Sequence, residues 1–125
     1  INLEQLLALH VLVIQRFGGA TGVRDIGRLE AVLATQTQAV FGIELYVTVY
    51  DKAAAILRGV IADHPFSDGN KRTGTLTALT FLEINGYTIT AKKGEIEDFA
   101  VSVATDHLTV ETIAQWLKDH SQPTT

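Results

Sequence analysis

Ten consecutive residues carry most of the chemistry this chain could perform: His64-Pro65-Phe66-Ser67-Asp68-Gly69-Asn70-Lys71-Arg72-Thr73. One imidazole, one carboxylate, one amide and two cations gather around a glycine, between two long apolar stretches. If a helix starts near Asn70, its first backbone N–H groups have no partners and face the positive end of the helix dipole. Gly69 leaves room for a ligand to approach, as in other phosphate-cradling turns. Lys71 and Arg72 add formal charge there, and Arg72 offers planar, bidentate geometry to phosphate oxygens. Cations placed where the helix dipole repels them are accounted for if an anion comes to sit among them. Asn70 is expected to cap the helix and to donate its amide to the same anion.

His64 stands six residues before Asn70, close enough for a tight loop to return its ring to that site. An imidazole that titrates near neutral pH suits removal of a proton from a substrate hydroxyl. Asp68 is placed to hold Mg²⁺ or to orient the hydroxyl, since Mg²⁺ uses only one or two carboxylates beside phosphate oxygens. Phe66, the apolar member, is expected to anchor the loop's underside and fix the height of His64.

The elements that must position this loop read as helical. Asn2 and Gln5 have capping-box spacing, and a helical stripe from Leu3 to Phe17 follows, stopped by Gly18-Gly19. Residues 20–27 read as an exposed loop. Further helices are expected over 28–38, 45–62 and 70–84, the last apolar all round and therefore central and enclosed. An extended segment over 87–90, a turn at Lys92-Lys93-Gly94 and helices over 95–104 and 110–120 complete the pattern, with Thr109 capping the last. His10 lies on an apolar stripe and reads as a packed histidine rather than a reacting one. The sum is a compact all-α bundle of about six helices, with the motif loop joining two central ones, forming one domain over residues 1–120. Residues 121–125 read as a flexible tail.

Composition narrows the function further. The 125 residues are 46% hydrophobic, ample for one packed core, and carry a net charge of −4. Bulk electrostatic binding of nucleic acid needs clustered Lys and Arg, so no direct nucleic-acid partner is expected. With no cysteine, thiol catalysis, disulfides and thiolate metal sites are excluded, which fits a cytoplasmic setting. No apolar run is long enough for a membrane helix. The chain opens on Ile1, which leads us to expect a few residues before it.

The ten-residue string resembles the signature of the Fic/Doc family: His, any residue, Phe, any, Asp or Glu, Ala or Gly, Asn, any, Arg. His64, Phe66, Asp68, Gly69, Asn70 and Arg72 match it position by position. The segments Phe17-Gly18-Gly19 and Gly27-Arg28-Leu29-Glu30 are similar to the small death-on-curing (Doc) branch. Fic adenylyltransferases carry glycine after the asparagine and a second arginine three residues beyond the first; here those positions hold Lys71 and Thr75. Gly69, where many Doc members have alanine, follows the Fic habit instead.

The resemblance implies a toxin of a toxin–antitoxin system. Such a Doc-like kinase would bind ATP with Mg²⁺ and transfer the γ-phosphate to a Ser or Thr hydroxyl of a translation elongation factor. His64 would then be the general base and Asp68 the metal or hydroxyl-orienting carboxylate, with Gly69, Asn70, Lys71 and Arg72 holding phosphates. The flap that clamps a target in Fic enzymes would be Ala20 to Asp25. No Ser or Thr of this sequence is followed four places on by Glu, the pattern of the family's self-inhibitory helix, so control is expected from outside. Control would come from an antitoxin whose C-terminal segment folds along a groove. Two other readings are a Fic-type adenylyltransferase and a catalytically silent Fic-like binding module.

Overall fold

A computed structural model describes residues 1–125. Six helices form the body: α1 (Leu3–Phe17), α2 (Ile26–Ala34), α3 (Val49–Asp63), α4 (Asn70–Ile84), α5 (Lys93–Thr105) and α6 (Val110–Asp119). Four short strands decorate it: β1 (Ala39–Val40), β2 (Ile43–Glu44), β3 (Tyr87–Ile89) and β4 (Ser121–Pro123). The fold is thus the all-α bundle that the helical periodicity predicts.

Helix starts are set by side-chain caps. Asn2 accepts from the Gln5 N–H at 2.8 Å while the Gln5 side chain accepts from the Asn2 N–H at 2.9 Å, closing a capping box on α1. Thr48 and Asp51 form the same box on α3, and Thr109 accepts from the Thr112 N–H on α6. Asp25 caps α2 through the Arg28 N–H at 3.1 Å, so α2 begins two residues before the expected Arg28. It also ends earlier, at Ala34 rather than Gln38.

The interval between α2 and α3 holds a hairpin that helical periodicity did not predict. Val40 pairs with Ile43, and the two turn residues Phe41 and Gly42 both have positive φ, as a type I′ turn requires. Every residue of β1 and β2 is exposed, so no alternation of burial marks them in the sequence. Lys52 fastens the hairpin's root, its Nζ donating to Gln36 O, Tyr46 O and Glu44 Oε1 within 3.0 Å.

α3 and α4 are the two central helices that the motif loop joins, though α4 is not enclosed on every side. Five consecutive residues of α3, Ala53 to Leu57, are buried, and the helix contacts α2, α4, α5 and α6. On α4, by contrast, Ile84 is 63% exposed and Glu83 is exposed. α4 meets α3 through small residues. A Cβ on Gly74 would lie 3.3 Å from the Leu57 carbonyl oxygen and 3.1 Å from Val60 Cβ, so glycine permits this close approach. The tight α3–α4 pair forms the frame from which the motif loop is hung.

Two further expectations are corrected at the C-terminal side. Lys92-Lys93-Gly94 is not a separate turn: α5 already starts at Lys93, with Glu95 Oε1 accepting from the Lys92 N–H at 3.2 Å. The expected flexible tail is instead strand β4, antiparallel to β3 with Thr88 opposite Gln122. Hydrogen bonds from Thr90 N to His120 O and from Thr124 N to Gly86 O, 2.7 and 2.8 Å, close both ends of this ribbon. Backbone pairing with β3 outweighs the polar, proline-containing composition of Ser121–Thr125, and Pro123 falls at an edge that tolerates it.

Candidate active site

The motif loop spans the C-terminus of α3 and the N-terminus of α4. His64 is the C-cap of α3, in left-handed geometry at φ 47°, ψ 58°, and its side chain is solvent-exposed. A non-glycine residue in that region is uncommon, and here it falls at the histidine of the motif. The exposed carbonyls at this helix end are met by cations: Arg24 donates to His64 O at 2.8 Å and to Asp63 O at 3.1 Å, and Arg28 donates to Asp63 O at 2.8 Å. Guanidinium groups at the negative end of α3 complement its dipole. Arg24 and Arg28 therefore brace the base of His64.

Asn70 draws the loop together. Its Oδ1 accepts from the Phe66 N–H at 3.0 Å, and its Nδ2 donates to Phe66 O at 2.9 Å. The opposed backbone groups fix which way the amide faces. The same Nδ2 lies 3.4 Å from His64 Nδ1. That is at the far end of hydrogen-bond range, so it holds the ring over the start of α4 without dictating which nitrogen carries the proton. One Asn70 amide N–H is thereby engaged by Phe66 O and the other faces His64 Nδ1 at long range, so the side chain is turned into the loop. Nor is Asn70 the cap: Gly69, at φ 75°, is the N-cap of α4 and Asn70 its first helical residue.

Phe66 is fully buried beneath the loop. Its ring stacks on His10 of α1, centroids 3.9 Å apart and planes within 6°. His10, 3% exposed, also reaches the Asp68 carbonyl oxygen with Nε2 at 2.9 Å. Gly69 packs on α1 as well, since a Cβ there would meet Ile14 and Val13 at 3.2 and 3.3 Å. α1 is therefore the bed of the loop.

The segment 20–25 lies along the loop's other side. Val23 bridges antiparallel to Phe66, Ser67 N donates to Gly22 O, and Arg24 N and Asp25 N both donate to Pro65 O. Asp68 joins in through its side chain, Oδ2 accepting from the Ala20 N–H at 2.7 Å.

Lys71 and Arg72 are exposed at the first turn of α4, which carries no acidic residue. Neither belongs to any of the chain's three ion pairs. The Arg72 guanidinium rests 4.2 Å from the Phe17 ring centroid, and Arg16 approaches the same ring at 5.8 Å. No protein acceptor takes the N–H groups of Gly69, Asn70, Lys71 or Arg72; the first helical donor on α4 is Thr73, to Gly69 O. The first turn of α4, whose Asn70 side chain meets the imidazole, thus carries amides without protein acceptors and two cations without ion-pair partners. The structure brings His64 to the Asn70 side chain and leaves Asp68, Lys71 and Arg72 exposed on the same loop and helix start, with Phe66 and the Asn70 side chain buried beneath.

Periodicity did not mark three contributors to this site: His10, Phe17 and Arg24. His10 and Phe17 sit on the stripe of α1 and Arg24 in a loop, and only the fold brings them against the motif. Their signal was chemical, a histidine on an apolar face and an arginine beside a chain reversal.

Two curated proteins resemble this chain in sequence over most of its length. A Toxin Doc of Mycolicibacterium smegmatis is 41% identical over 100 residues, 78% of this chain and 77% of that protein. A Protein kinase doc of Escherichia phage P1 is 36% identical over 118 residues, 94% of this chain and 92% of that protein. Residues 1–82, which include the entire loop, match the model of the Fic/DOC family. On this evidence the chain belongs to the Fic/Doc family and is a member of its Doc branch.

Proposed function

We propose that this protein is a Doc-like toxin that transfers the γ-phosphate of ATP to a Ser or Thr hydroxyl of a translation elongation factor. The observation that carries this reading is the contact of His64 with Asn70 at the start of α4, beside four unpaired amides and the unpaired Lys71 and Arg72. The phage relative's name, a protein kinase, supports phosphate transfer. Lys71 supports it too, because it stands where adenylyltransferases of the family keep glycine.

In the proposed reaction His64 takes the proton from the target hydroxyl as its oxygen bonds to the γ-phosphorus. The bond from that phosphorus to the β-bridging oxygen breaks, and ADP leaves. Charge gathers on the phosphoryl oxygens, where preorganised amides and cations stabilise it without reorganising. Lys71, Arg72 and the N–H groups of residues 69–72 fill that role. Asn70 acts beneath them, holding Phe66 and the His64 ring in place.

No three His, Cys, Asp or Glu side chains gather as a metal cage anywhere in the chain. Asp68 offers one carboxylate, with Oδ2 bonded to Ala20 N. A lone carboxylate fits Mg²⁺ held mainly by phosphate oxygens and water, and such an ion would neutralise charge on the leaving phosphates.

The antitoxin's C-terminal segment is proposed to cover apolar surface on α1 and α4. A shallow groove there is lined by Ile1, Ala8, Leu9 and Ile84, with Leu12 of α1 56% exposed. No helix is long and apolar enough to cross a membrane, and the cytoplasm, where translation factors reside, is the proposed location.

Incubating the protein and bacterial extract with γ-labelled or α-labelled ATP tests the reading. Label on one protein from the γ position only is expected. Label from the α position would replace the kinase with an adenylyltransferase.

A further inference from the structure

His10 is buried, titratable and absent from the proposed reaction, yet it makes two specific contacts with the loop. Its ring lies parallel to Phe66 at 3.9 Å, and its Nε2 is 2.9 Å from the Asp68 carbonyl oxygen. A carbonyl oxygen can only accept, so Nε2 carries hydrogen and donates. The stack sets the plane of the ring and the hydrogen bond sets its rotation.

The consequence lies one atom further on. The peptide joining Asp68 to Gly69 is trans, and in a trans peptide C=O and N–H point in opposite directions. His10 holds the carbonyl inward, against α1. The Gly69 N–H of that same peptide must then point away from α1, and like those of Asn70, Lys71 and Arg72 it has no protein acceptor. A peptide that precedes glycine is otherwise easily reversed. Glycine is at home on both sides of the φ map, and turn types I and II differ chiefly by this flip. Gly69, at φ 75°, thus needs something outside the loop to fix the peptide before it.

We propose that His10 is the positioning residue of the phosphate site: by clamping the Asp68 carbonyl it aims the Gly69 amide at the bound phosphate. This rests on the reading of the α4 start as a phosphate site, and is independent of which phosphate is transferred. His10 touches no substrate itself. It converts three converging amides into four before the ligand arrives, so the ligand need not reorganise the loop.

Two substitutions separate its two contacts. His10→Phe keeps an aromatic ring for Phe66 and loses the donor. His10→Gln keeps an N–H at nearly the same reach and loses the stack. Inorganic tripolyphosphate is titrated into the full-length, ¹⁵N-labelled protein, and the Gly69 amide resonance and the melting temperature are followed. In the wild type the Gly69 resonance is expected to move with saturation. His10→Phe should bind about tenfold more weakly, the loss of one hydrogen bond to a charged ligand, and its Gly69 resonance should stay still. His10→Gln should melt lower but keep the Gly69 response.

The proposal is overturned if His10→Phe binds as tightly as the wild type with the same Gly69 shift. It is also overturned if both variants lose binding only in proportion to their melting temperatures, or if the wild-type Gly69 amide ignores the polyphosphate. Transfer of α-label instead of γ-label would defeat the kinase reading while leaving this titration unchanged.

Discussion

The Arg72 guanidinium sits 4.2 Å from the centroid of the Phe17 ring, so the last residue of α1 is a shelf for a cation at the start of α4. Phe17 is 46% exposed, which puts the stack at the rim of the site rather than in the core. Long cationic side chains lose much conformational freedom when fixed, and an aromatic face lowers that penalty for Arg72 in advance. Phe17→Ala should reduce kcat/KM for ATP by roughly two- to fivefold, the worth of an exposed cation–π contact. Phe17→Tyr should leave it unchanged. Steady-state kinetics at fixed target concentration, with melting curves to show intact folding, checks both.

Asn70 satisfies the N–H and C=O of Phe66 in a buried setting. Asn70→Ala leaves both backbone groups without partners, at about 1–3 kcal/mol each. We expect the melting temperature to fall by roughly 10 °C and transfer to be lost, because the loop loses its tie to His64 as well. Calorimetry and a labelled-ATP assay on the same preparation check the two effects.

A smaller, separable loss is expected from Arg24→Ala. It removes the donors to His64 O and one of the two guanidinium contacts on Asp63 O. Stability should fall by about 1 kcal/mol, since the pair is exposed and Arg28 remains. Transfer should fall further than stability explains, as the backbone that sets the His64 geometry loosens. Urea unfolding compared with turnover at saturating ATP separates these outcomes.

Deleting residues 121–125 tests the C-terminal ribbon. A flexible tail would leave stability unchanged. With β4 paired to β3, the deletion should lower stability by about 1–2 kcal/mol and speed hydrogen exchange at amides of β3. Exchange measured by mass spectrometry over residues 86–90 is the check.

These features show how far residue pattern alone reached. Helices were legible wherever apolar residues recurred at helical spacing between caps, as from Asn2 to Phe17 and from Thr109 to Asp119. The hairpin at Phe41-Gly42 was not, because its residues are exposed and its turn depends on backbone angles that Phe rarely adopts. β4 was hidden for another reason: its partner β3 lies more than thirty residues earlier, and pairing at that distance leaves no local trace. The motif string itself was readable because six side chains of unlike chemistry sit within ten residues. What it concealed was direction. Asn70 looks like a ligand to phosphate and turns inward to the loop, while His10 reads as packing and holds the loop from below.

The central claim is that an exposed imidazole works against a phosphate held by the first turn of α4. Transfer of label from γ-labelled ATP to an elongation factor, compared between wild type and His64→Ala, measures it most directly. Loss of a general base should lower the rate at least 100-fold with ATP affinity nearly unchanged. Equal transfer by the two proteins would contradict the account.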